Sequence, residues 1–103
     1  MIEHIIFLGL NDKNTHAQEI STLDAYKIAM RLVIESGYTG ATITEATGFY
    51  THEDGSVVIE KSLRVELIDA DESRTHALID AMKKTFNQES VLLQKINTAT
   101  DFI

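Results

Sequence analysis

Apolar and polar residues recur along this chain with two different periods. Ile5-Ile6-Phe7-Leu8-Gly9-Leu10 is apolar at both parities and stops at Asn11-Asp12, which predicts a short central strand covered on both faces. Residues 11–21 hold neither period and are predicted to be a loop, either a solvated connector or a functional segment. From Thr22 the spacing changes to three and four. Leu23, Tyr26, Met30 and Val33 form a stripe flanked by Ala25, Ala29 and Leu32, and Lys27, Arg31 and Glu35 lie opposite. The pattern predicts a helix that starts at Thr22 with Asp24 at its positive end, stops at Ser36-Gly37, and buries Tyr26 and Met30 in the core.

Over residues 41–49 the period returns to two, with Ala41, Ile43 and Glu45 on one face and Thr42, Thr44 and Ala46 on the other. Glu45 shares a face with Ala and Ile, so it must lie at a rim or pair with a cation. Thr51-His52-Glu53-Asp54-Gly55 predicts a hairpin turn with Gly55 at positive φ. The next strand sends Val57, Ile59, Leu63, Val65 and Leu67 to one side and Val58, Glu60, Ser62, Arg64 and Glu66 to the other. A turn at residues 69–72 leads into a second helix, predicted to bury Ala77, Leu78, Ala81, Met82 and Phe86 and to expose Arg74, Asp80, Lys83 and Lys84. A fourth strand over residues 90–96 follows, then a tail whose terminal Phe102 and Ile103 are expected to dock. The order specifies an α+β, ferredoxin-like β-α-β-β-α-β sandwich, a four-stranded antiparallel sheet with two helices on one face, in a single domain over residues 1–103. The uncovered sheet face would carry Thr42, Thr44, Glu60, Arg64 and Glu66, regular enough to meet symmetry mates.

Composition narrows the partners. With 103 residues, 44% hydrophobic and a formal charge of -7, the chain suits a modest core and lacks the clustered cations that nucleic acid requires. It has no Cys, hence no disulfide, thiolate metal site or cysteine nucleophile. The first residues carry no basic segment and the run at residues 5–10 is too short to span a membrane, so a soluble, cytoplasmic protein is expected. His4, His16, His52 and His76 show no spacing that puts two on one helix face, and no Ser sits in a nucleophile elbow. His52-Glu53-Asp54 has acid and base groups, but acidic hairpin corners are commonplace. No catalytic and no metal-ligating residue is assigned.

One stretch carries a resemblance. Gly37-Tyr38-Thr39-Gly40-Ala41-Thr42-Ile43-Thr44-Glu45-Ala46-Thr47-Gly48-Phe49 resembles the end of the first helix and the second strand of the PII-like signalling superfamily, and Ser62-Leu63-Arg64-Val65-Glu66-Leu67-Ile68 is similar to its third strand. That resemblance implies a trimer binding a small effector, commonly an adenine nucleotide, between the second strand of one subunit and the loop after the second helix of the next. The residues so implicated are Thr42, Thr44, Gly48, Phe49, His52, Asn87, Gln88 and Ser90. Two departures stand out. The family's long signalling loop is reduced to residues 50–56, and Asn87-Gln88-Glu89-Ser90 replaces its Gly-x-Gly-Lys phosphate cradle, where Glu89 would repel phosphate. The paired arginines after the fourth strand are also missing.

The leading expectation is therefore a non-enzymatic, trimeric regulatory or ligand-sequestering protein with no resident cofactor, binding a small, nucleotide-derived molecule between subunits, with a protein partner as a further option. Two alternatives stand beside it. One is a dimeric α/β-barrel enzyme using the open sheet face as a pocket with His4 as base; the other is an acidic interaction module, such as a viral inhibitor, docking on a basic partner.

Overall fold

A computed structural model describes residues 1–103. The elements are β1 (Ile2–Gly9), α1 (Thr22–Glu35), β2 (Thr42–Thr51), β3 (Val57–Ile68), α2 (Glu72–Thr85) and β4 (Leu92–Asn97). The strands form one antiparallel sheet in the order β2-β3-β1-β4. This is the ferredoxin-like arrangement the hydrophobic periods specify, and both helices lie on one face of the sheet.

Register explains which residues face the helices. His4, Ile6 and Leu8 lie opposite Leu67, Val65 and Leu63, and all six are fully buried. Ala25, Ala29, Leu32 and Val33 of α1, Leu78 and Met82 of α2 and Phe86 just after it close over them. Burying each large aliphatic side chain in this layer contributes on the order of 1.5–3 kcal/mol. The opposite parity, with Phe7 and Gly9 of β1, Glu60, Ser62, Arg64 and Glu66 of β3, and Thr42, Thr44 and Gly48 of β2, forms the open face. There the Arg64 guanidinium sits 6.0 Å from the Phe7 ring centre and pairs with Glu66.

Several expectations need correction. On α1 the core face is the line Ala25–Ala29 with Leu32 and Val33. Tyr26 and Met30, expected in the core, are exposed, and so is Leu23. The helix starts at Thr22 as expected, and the Ser21 side chain before it caps α1 by accepting from the Asp24 amide at 3.2 Å. On α2 Ala77 is exposed, while Thr75 is buried in its place. Glu45 is exposed at the rim, which resolves its awkward neighbours. His4 points into the helix side, not onto the open face, and cannot serve there as a base. Phe102 and Ile103 do not dock but stand in the open.

The largest departure concerns the hairpin. Only residues from Ser62 onward pair with β1, so residues 47–61 continue as a two-stranded arm and stretch the molecule to 47 × 25 × 23 Å. Val57 and Ile59, expected in the core by their parity, are 58% and 69% exposed because the arm has no helix beneath it. Its corner is as expected, with Gly55 at φ 87° and the Ser56 amide bonded to Asp54.

Candidate functional site

The apolar run of β1 ends where the polar loop begins, and there three segments converge. The loop over residues 11–21 is built rather than loose. The Asp12 carboxylate accepts from the Asn14 and Thr15 amides, the Asp12 amide donates to the Ala17 carbonyl at 2.8 Å, and Asn11 and Gln18 form a bridge. The segment after α2 holds this loop in place. Asn87, in the left-handed region at φ 49°, donates from Nδ2 to Asp12 at 3.0 Å, and its carbonyl accepts from the Lys13 amide at 3.0 Å. Gln88 donates from Nε2 to the Asn11 carbonyl at 2.6 Å. The Asn87 bond, with the two amides, holds the Asp12 carboxyl below the usual carboxylate range.

Between this loop, the base of the arm and the segment after α2 lies a cleft of about 470 Å³. Asn11, Asp12, Lys13 and His16 form one wall; Tyr50, His52, Val58 and Glu60 form the second; Gln88, Glu89 and Ser90 form the third. Tyr50, near the end of β2, and His52, just past it, meet edge to face, with ring centres 5.2 Å apart. The cleft continues, through Tyr50, Glu60, Gln88 and Ser90, into a hollow of about 320 Å³ on the open sheet face, lined also by Phe7, Gly9, Gly48, Phe49, Ser62 and Leu92. Three carboxylates, of Asp12, Glu60 and Glu89, line the cleft against one ammonium, that of Lys13. Glu60 is half-buried and forms no ion pair, and its Oε2 accepts from the Asn11 amide at 2.9 Å. Such a site favours a cation.

The residues implicated from the sequence divide into three groups. His52, Gln88 and Ser90 line the cleft, and Gly48 and Phe49 line the adjoining hollow. Asn87 braces the wall. Thr42 and Thr44 lie opposite Glu66 and Arg64, toward the far end of the sheet, roughly 13 Å along the strand from Gly48 for Thr44. The end of β2 and the segment after α2 meet within one chain, where the resemblance implied two. Asn11, Asp12, Lys13, His16, Tyr50, Val58, Glu60 and Glu89 line the cleft without having been implicated from the sequence. For Glu60 the sequence offers only a carboxylate on the open face of the third strand; its place over Gly9, which pairs with Ser62, comes from the register.

A second polar cluster is closed. Buried His4 bonds through Nδ1 to Thr75 Oγ1 at 2.7 Å, Thr75 meets the Tyr38 hydroxyl at 2.6 Å, and Tyr38 accepts from the Asp71 amide at 2.9 Å. His4 Nε2 has no hydrogen-bond partner and lies 3.7 Å from Glu72, which binds Lys95 at 2.7 Å and His76 at 3.2 Å. Burial lowers the His4 pKa, against the pull of Glu72; the Lys95 hydrogen bond lowers that of Glu72. No group of three or more His, Cys, Asp or Glu side chains is placed to hold a metal ion, and no helix is long and apolar enough to cross a membrane.

Comparison with known proteins bears on the cleft. A family model described as the S-Adenosylmethionine lyase family matches residues 10–103. No curated protein sequence matches. Among solved structures, a phage SAM lyase in complex with S-methyl-5'-thioadenosine is 25% identical with a TM-score of 0.70, covering 92% of this chain and 79% of that one. A phage SAM lyase in the apo state is 23% identical with a TM-score of 0.66, covering 92% and 78%. The periplasmic divalent cation tolerance protein CutA from Archaeoglobus fulgidus is 16% identical with a TM-score of 0.60, covering 97% and 87%. The last two likenesses show the shared ferredoxin-like fold. The matched family is one of enzymes, which overturns the expectation of a non-enzymatic regulatory or sequestering protein. Glu89, where the resemblance would have a phosphate cradle, lines the cleft together with Glu60.

Proposed function

The chain belongs to the S-adenosylmethionine lyase family, and from that premise we propose that it cleaves S-adenosylmethionine in the cleft beside Glu60. A lyase breaks its bond without adding water. In the step proposed, an oxygen of the substrate's own carboxylate bonds to the carbon that joins the amino-acid chain to sulfur. That carbon–sulfur bond breaks, and its electron pair goes to sulfur. The sulfonium becomes the neutral thioether S-methyl-5'-thioadenosine, and the four-carbon amino acid closes as a lactone. No proton moves and no co-reactant is consumed.

The demands on the protein are then positional. The substrate carries a sulfonium and an ammonium, and Glu60 and Glu89 are the carboxylates that meet them. The Tyr50 ring offers a face to a cation or to adenine. Lys13 is the one ammonium in the cleft for the substrate carboxylate. Holding the chain folded so that its carboxylate reaches carbon replaces a search that free substrate must make in water. The observation that carries the reading is Glu60, a half-buried carboxylate without a cation, in a cleft that lacks a phosphate cradle. A triphosphate would be repelled there, while an adenosyl sulfonium has no phosphate to place.

The same reading has the chain assemble as a homotrimer through the arm. A two-stranded ribbon exposing Phe49, Val57 and Ile59 gains stability when another copy covers it. The experiment on function is direct. Mixed with S-adenosylmethionine, the protein is expected to release S-methyl-5'-thioadenosine one-for-one with substrate loss, read by liquid chromatography. Persistence of the substrate would overturn the proposal.

A further inference from the structure

Gly9 is the last residue of β1 and lies opposite Ser62 on the open face. Nothing in its backbone asks for glycine. The glycines at positive φ are Gly37 and Gly55, and Gly9 is not among them. A glycine at this place weakens the strand, since it adds chain entropy to the unfolded state and packs no side chain. A methyl group placed on Gly9 would fall 2.7 Å from Glu60 Oε1, 2.8 Å from Cδ and 2.8 Å from Oε2. The carboxylate therefore occupies the space where any other residue's Cβ would be.

From this packing the geometry points to Gly9 as the positioning residue for Glu60, one that sets how the cleft holds its cationic substrate. The inference rests on the reading of the cleft given above. Glu60 leaves β3 on the open face and lies across β1, where the missing side chain of Gly9 lets it down onto the strand. There the Asn11 amide donates to Oε2 at 2.9 Å. The Asn11 carbonyl, on the next peptide, accepts from Gln88, so the segment after α2 steadies the loop that supplies this donor. Oε1 accepts no hydrogen bond and no cation pairs with the carboxylate, so the anchored group keeps an oxygen free for the substrate. Because the atoms in the way are the far end of a flexible side chain, Gly9→Ala leaves the fold intact. The carboxylate swings off instead and loses the Asn11 bond.

The test combines kinetics with a resonance that does not depend on turnover. Gly9→Ala is expected to keep the melting temperature of the unaltered protein and to raise KM for S-adenosylmethionine about tenfold or more, with kcat changed far less. Added to Glu60→Gln, it is expected to have no further effect, because the positioned charge is already gone. Gly40→Ala, with nothing within 4 Å of the new methyl, controls for removal of a glycine and is expected to leave KM unchanged. In the amide spectrum the Asn11 proton, deshielded by a charged acceptor, is expected to shift upfield in both Gly9→Ala and Glu60→Gln, while the amides of Leu8 and Val65 stay in place. An unmoved Asn11 resonance in Gly9→Ala, or equal KM effects of Gly9→Ala with and without Glu60, would overturn the inference. Should the unaltered protein leave S-adenosylmethionine intact, the reading of the cleft fails, and the Asn11 resonance still decides the positioning.

Discussion

Two glutamates at opposite ends of the sheet have different fates. Glu72, in the first turn of α2, is bound by Lys95 at 2.7 Å and by His76 at 3.2 Å, and it faces buried His4. Glu60 is more deeply set, has no cation, and is held by a single backbone amide over Gly9. One carboxylate is satisfied by its own chain. The other is held in place and left short of a counter-charge, and burial without a partner is costly unless a ligand supplies the charge. The difference, more than the number of acidic residues in either place, is what supports the proposed site beside Glu60.

The largest expected effect follows from removing the free charge. Glu60→Gln is expected to weaken capture of S-adenosylmethionine by about 1.5–3 kcal/mol, roughly ten- to hundredfold in KM, with a nearly unchanged melting temperature. Steady-state kinetics and calorimetry together check it. Next comes the closed cluster. Thr75→Val leaves the His4 ring and the Tyr38 hydroxyl without their shared buried partner and is expected to lower stability by about 1–3 kcal/mol in a urea titration, with KM unmoved.

A smaller effect is linked to pH. Folding lowers the pKa of His4 from 6.5 through burial, so the neutral ring is the form the folded state prefers. Its contribution is present above 6.5 and is lost as pH falls below that value toward the folded pKa, because the unfolded chain takes up the proton first. His4→Gln is expected to flatten the decline in melting temperature between pH 7 and the more acidic side; an identical slope in both proteins would contradict it. The smallest effect belongs to Glu72→Gln. Glu72 itself and the Lys95 and His76 side chains that bind it are exposed, so the melting temperature is expected to change little and turnover not at all.

The same contrast explains what was legible in the sequence. Alternation along Leu63, Val65 and Leu67, and the glycines at 37 and 55, specified the elements and their order because those signals are local. The buried face of α1 is not legible because Leu23, Tyr26 and Met30 keep the same spacing as Ala25 and Ala29 and are larger, although it is the alanines that are buried. Val57 and Ile59 keep strand parity past the point where the sheet ends, and parity cannot tell where a neighbour stops. Glu60 was seen only as one polar residue of a polar face. That it lies over Gly9, fifty-one positions earlier in the chain, depends on the β1–β3 register. The resemblance points to His52, Gln88 and Ser90, which line the cleft, but it carries no signal for the acidic character of that cleft, because Glu60 and Glu89 lie outside the matched motifs.

The claim that this cleft cleaves without water is tested most directly by running the reaction with S-adenosylmethionine in water enriched in oxygen-18 and weighing the four-carbon product. The account predicts S-methyl-5'-thioadenosine together with a lactone free of heavy oxygen. Once that lactone opens at its carbonyl, the hydroxyl on the terminal carbon still carries ordinary oxygen. Heavy oxygen on that terminal carbon, or no thioether at all, would contradict it.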